Sequence, residues 1–196
     1  MSIRSLIPLA LAVALTVAAS AVGASAAKNP SALILVKKDF PAHADYEAGS
    51  GVEGFNLEPA LAPKKLDDNL AGYLGATYSE KHGHLQIRGA LITTSSAEEA
   101  KEAFGIALKA RQKLWKTLGE RFKPMTGAPA LGDQQLVFLQ KPTVVHTGAI
   151  NAVVRKRSVV WLLEARLDRL PPPSVATILT DFKTYTAKQK ARVGAG

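Results

Sequence analysis

The 196-residue chain contains no cysteine. That absence excludes disulfides, thiol nucleophiles, thiolate metal sites and a lipid-modified cysteine at the N-terminus. Aromatic residues are few, at 6% of the chain, and are not interleaved with the basic ones, which argues against nucleic acid as a partner. There is no G-x-S-x-G elbow, no H-E-x-x-H, no phosphate-binding glycine loop, no dinucleotide fingerprint and no internal repeat. Asp67-Asp68 and Glu98-Glu99 are adjacent carboxylates, and neighbours in sequence do not face each other across a substrate as an acid–base pair must. The sequence offers no catalytic residue, metal ligand set or cofactor site.

What is present begins with the leader. Arg4 supplies a positive start, Leu6 to Val22 form an apolar run, and Ala24-Ser25-Ala26 matches a small-residue cleavage site. The pattern predicts a signal peptide over residues 1–26 and an exported domain over 27–196. The alternative is an uncleaved membrane anchor, since the stretch is almost long enough to span a bilayer. Removing Arg4 from 25 Lys and Arg leaves 24 against 16 Asp and Glu, a balance of +8 for the mature chain. That surplus suits an anionic cell-envelope ligand or peripheral contact with a membrane, and serves equally as a solubilising charge.

Asn29 and Pro30 have the chemistry of a helix start, which predicts a short helix through Lys38, stopped by Pro41. The apolar "ALILV" would also fit a strand. Residues 42–70, rich in Gly, Ala, Pro and acidic side chains, read as an irregular strap with one short strand near Val52 to Leu57. "GYLGATYS" and "HLQIRGALITTS" favour strands joined by "EKHG". His82 and His84 flank Gly83 and look like ligands, but no further ligand has suitable spacing, and His43 and His146 are remote. They read as the tip of a β-hairpin.

"SSAEEAKEAFGIALKARQKLWKTLGERF" is a doubly capped helix, with Ser95/Glu98 and Ser96/Glu99 at capping-box spacing. Ala100, Phe104, Ala107, Leu108, Trp115 and Leu118 mark its buried stripe, and Gly119 its stop. Lys109, Arg111, Lys113, Lys116 and Arg121 read as cations favoured near the negative end of the helix dipole. Three strands follow, "QQLVFLQ", "TVVHTGAINAVVR" and "SVVWLLEARL". A closing helix carries Val175, Ile178, Leu179, Phe182, Tyr185 and Val193 on one stripe. The order α-ββ-α-βββ-α predicts an α+β domain, an antiparallel sheet of about five strands covered on one face by two amphipathic helices.

Along the last strand Trp161, Leu163, Ala165 and Leu167 share the expected core face, and Leu162, Glu164, Arg166 and Asp168 the polar one. A two- or four-residue loop near Lys156-Arg157 would place Asn151 opposite Leu162, Ala149 opposite Glu164 and Thr147 opposite Arg166. Thr147, Asn151, Glu164 and Arg166 then gather on one face. They are the candidate ligand-binding residues, able to hydrogen-bond a polar small molecule beneath the strap. The competing expectation is an ordinary ion pair on a solvated face.

The cadence of "ALILVKKDFP", "TTSSAEEAKEAF", "ALGDQQLVF" and "VVRKRSVVWLLEARL" resembles exported actinobacterial-type domains, lipoprotein-like or kinase-sensor-like and of unknown function. The resemblance implies a non-catalytic extracytoplasmic domain and carries over no site residues. The chain departs from the lipoproteins in lacking the lipid-accepting cysteine, and from sensor kinases in lacking a kinase and disulfides. The function expected is therefore an exported binding or sensor-like domain. The alternatives are a secreted hydrolase without a recognisable motif and an anion-adhesive surface protein.

Overall fold

The computed structural model describes residues 29–50, 52–79, 83–117, 123–140, 148–168 and 175–195. The leader lies outside them. Asn29 caps the first helix, α1 (Pro30–Leu33), its side chain accepting from Ser31 N at 3.0 Å. This helix is shorter than expected. Ile34 is already extended, Ile34 and Leu35 are buried, and only a 3-10 turn at Lys37–Asp39 follows before Pro41. The strap then supplies a strand, β1 (Asp45–Ala48), upstream of the expected position. Where that strand was expected stands a 3-10 turn (Glu53–Phe55), followed by α2 (Glu58–Leu61).

The remaining elements are β2 (Leu70–Ser79), β3 (Gly83–Thr93), α3 (Ala97–Thr117), β4 (Lys123–Pro124), β5 (Gln134–Gln140), β6 (Ala149–Lys156), β7 (Val159–Asp168) and α4 (Val175–Ala195). They form one antiparallel α+β fold with a seven-stranded sheet in the order β1-β2-β3-β7-β6-β5-β4. The five expected strands are present. β1 and β4 are the additional ones, each short and at an edge, where brevity limits unwanted pairing.

The helices do not share a face. α4 and α1 cover one side over Trp161, Leu163, Ala165, Ile150, Val154 and Ile87. α3, α2 and the strap cover the other over Leu162, Val160, Val153, Phe138 and Ala90. The reason lies in the central strands, β7 above all: Val159 to Ala165 are buried on both faces, which a sheet covered on one side cannot achieve. The expectation of a single covered face is corrected accordingly.

α3 opens with the chemistry its sequence specifies. Ser96 Oγ accepts from Glu99 N at 3.1 Å, and Glu99 Oε2 accepts from Ser95 N at 2.6 Å. α4 buries Ile178, Phe182, Tyr185, Thr186, Gln189 and Val193, while Val175 and Leu179 are only half-buried. Gln189 Nε2 donates to the Leu33 carbonyl at 2.8 Å, fastening the end of α1 to α4.

Candidate functional site

β6 and β7 join through a two-residue turn, Arg157-Ser158, which pairs Lys156 with Val159. Asn151 therefore stands opposite Glu164, and Ala149 opposite Arg166. The pairing differs by two residues from the expected one, so the same side chains keep the same face but meet different partners. Arg88 on β3 flanks Glu164 from the other side. Thr147 lies outside the described residues; Asn151, Glu164 and Arg166 come together on the α3 face.

That face is not solvated. Asn151 is 2% exposed and Glu164 4%. The residue that closes them in is Arg111 of α3, also 2% exposed. Its Nη2 donates to Asn151 Oδ1 at 2.7 Å and to Glu164 Oε2 at 3.1 Å, and its Nη1 donates to the Gly54 carbonyl of the strap at 3.2 Å. The Phe55 ring lies 4.7 Å from the Arg111 guanidinium carbon, within cation–π range. One side chain thus joins a helix, two central strands and the strap. Burial lowers the Arg111 pKa; Glu164 works against that shift, while Arg88 and Arg166 reinforce it.

Arg166 Nε stands 3.5 Å from Glu164 Oε1, an ion-pair distance without hydrogen-bond alignment. The expected solvated Glu164–Arg166 pair is therefore corrected to a buried carboxylate held by Arg111, with Arg166 at its outer edge, its side chain 33% exposed. The Arg88 side chain packs against Gly54, where a Cβ would collide with the guanidinium. Glycine is what lets the strap lie this low over the sheet.

Arg111 was missed by sequence reasoning, although a signal was there. It stands four residues after Ala107, seven after Phe104 and eleven after Ala100, on the stripe that packs against the sheet. A charged group at a core position requires a buried partner. Grouping it with Lys109, Lys113 and Lys116 as a dipole-favoured cation concealed that requirement. Beyond Ala107 on the expected stripe, Leu108 is half-buried; the Trp115 side chain and Leu118 lie outside the described residues.

The hairpin expected around Gly83 is formed by β2 and β3, with Ser79 opposite Gly83 and Gly83 at φ 80°. His84 is in β3, opposite both Tyr78 and Asp168, and His82 lies outside the described residues. Among the described residues no three His, Asp or Glu stand together as a metal-binding group. On the opposite face, a recess of about 100 Å³ is lined by Leu33 and Val193 and by the β6–β7 hairpin end, where Lys156 and Arg157 are its charged residues.

The class that this architecture defines is an antiparallel α+β fold with helices on both faces of the sheet. Among solved structures the chain is similar to the extracellular domain of PknH from Mycobacterium tuberculosis, with a TM-score of 0.52 and 11% identity over 86% of this chain and 96% of that one. At that identity the likeness is one of fold. No protein-family model matches the chain, and no curated protein does. No helix among the described residues is long and apolar enough to cross a membrane.

Proposed function

We propose that this chain is an exported binding or sensor-like domain, and that its ligand is a small molecule met at the Asn151–Glu164–Arg166 row beneath the strap. The observation carrying the reading is the burial of this polar row between the sheet, α3 and the strap. Stability alone is often served as well by apolar packing as by a buried ion pair, so a buried ionic cluster with an accessible edge at Arg166 suits recognition. The similarity in fold to an extracellular domain supports an extracytoplasmic location, as does the leader. The mature chain is expected to begin near Ala27 or Lys28 and to fold as one unit.

Native mass spectrometry of protein secreted by its own host tests the binding reading. A small molecule retained under native conditions and released by denaturation supports it. An empty protein that labels with a serine-hydrolase probe overturns it in favour of the hydrolase, and binding only to anionic polymer, abolished by salt, favours the adhesive protein. N-terminal sequencing of the exported material tests the leader, and a retained Met1 would refute its cleavage.

A further inference from the structure

The polar row is unbalanced in charge. Arg88, Arg111 and Arg166 bring three guanidiniums to the α3 face, and Glu164 is the carboxylate the described residues place among them. Asp168, farther along β7, accepts from Gln86 Nε2 at 3.4 Å. No described carboxylate stands within ion-pair distance of Arg88.

The donors are unbalanced as well. Arginine has no acceptor, so Asn151 must turn its oxygen to Arg111, as the 2.7 Å bond shows. Its amide nitrogen is then fixed in the opposite direction, buried and without a hydrogen-bond partner. Arg166 Nε is buried and likewise without a hydrogen bond, its ion-pair partner Glu164 Oε1 standing 3.5 Å away out of alignment. The two residues are diagonal neighbours on adjacent strands, and between them Ala149, directly opposite Arg166, contributes only a methyl group. Two buried donors without hydrogen bonds thus flank Ala149 in a positive field. An unpaired buried donor costs stability, and an acceptor bearing negative charge relieves both deficits together.

We propose that this row is an oxyanion site, in which Asn151 Nδ2 and Arg166 Nε donate to a carboxylate or phosphate group of the ligand and Arg88 adds charge. Arg111 and Glu164 are the positioning residues: Arg111 fixes the amide orientation, and Glu164 holds Arg111. The ligand enters from the Arg166 edge, the exposed end of the row. This inference rests on the binding reading above and narrows it to an anion.

The test is a titration of the full mature chain with inorganic phosphate and, separately, with acetate, followed by the arginine Nε–Hε and asparagine side-chain resonances. Acetamide is the neutral control. A saturable shift of the Arg166 and Asn151 signals with either anion is expected, and none with acetamide. Arg166→Gln, at a half-exposed position, is expected to weaken binding at least about tenfold. A Lys109→Gln/Lys116→Gln variant, altering exposed cations on α3, should bind within about twofold of the parent. Asn151→Asp supplies the negative charge from the protein itself and should remain folded while losing the response. Absence of a saturable shift with both anions overturns the proposal, as does a response that survives Arg166→Gln but vanishes in the lysine variant. A neutral molecule retained in native mass spectrometry, with both anions inert, overturns the oxyanion site and leaves the binding reading standing.

Discussion

Replacing Arg111 by Met keeps the length of the side chain and removes the charge. The structure then loses the bond to Gly54 O, the bond to Asn151 Oδ1 and the 3.1 Å contact with Glu164, whose side chain is only 5% exposed. Glu164 is left with Arg166 at 3.5 Å, across a partly exposed edge. Breaking a buried pair by deleting one partner costs about 3–5 kcal/mol, because the survivor is a charge without compensation. At about 2–4 °C per kcal/mol for a domain of this size, Tm should fall by about 6–20 °C. A second variant decides whether that loss is the orphaned charge or merely lost packing. Arg111→Met/Glu164→Leu removes both charges and should recover at least half of the deficit, since an apolar replacement of a buried ion pair is often neutral or better. Denaturant melts of the parent, both single variants and the double give the coupling directly. If Arg111→Met costs less than about 1 kcal/mol, or the double variant is as unstable as the sum of the singles, Arg111 and Glu164 behave as an exposed pair and the account of the site fails.

Other measurements probe other parts of the fold. Trp161→Ala, at a position with no exposure, should cost about 3–5 kcal/mol, and Arg166→Ala about 1 kcal/mol or less; a reversed order in urea melts would contradict the packing of β7. His82→Ala/His84→Ala should shift stability by no more than about 0.5 kcal/mol, and chelator should have no effect; a large fall in Tm in either experiment would revive a metal site. Burial raises the Tyr73 pKa well above the ordinary 10.0, and those of Tyr46 and Tyr185 also rise. Above pH 10 the unfolded chain releases protons that the folded one keeps, so stability is intact below that pH and declines above it. Tyr73→Phe should flatten part of that decline, and an identical alkaline profile in parent and variant would refute the role of Tyr73.

Much of the fold was legible because its signals are local. Both long helices announced themselves through caps and stripes, and five strands through apolar runs bounded by turn residues. β1 and β4 were not, being four and two residues long in segments rich in Gly and Pro, and held by what they pair with rather than by their own pattern. The second core was obscured by Glu164 and Arg166. Their charges made one face of β7 read as solvated, although Val160 and Leu162 on that face are as buried as Trp161. Only a buried counter-charge from another element permits such a face, and the partner is 53 residues away in α3. The site was accordingly half legible: Asn151, Glu164 and Arg166 could be grouped by alternation along two strands, whereas Arg111 required knowing which helix covers which face.

The pairing of α1 with α4 sets an order on how this protein is completed as it is made. Leu33 finds the amide of Gln189 only 156 residues later. Until the last helix is synthesised, the sheet can be fully covered on the α3 side alone, while on the other side Trp161, Ile150 and Val154 lack the cover of α4. A chain in that state is a one-sided apolar slab, the kind of species that associates with its neighbours before it finishes folding. Holding the chain extended until its C-terminal segment emerges avoids that state, and loss of the final helix through truncation or proteolysis recreates it.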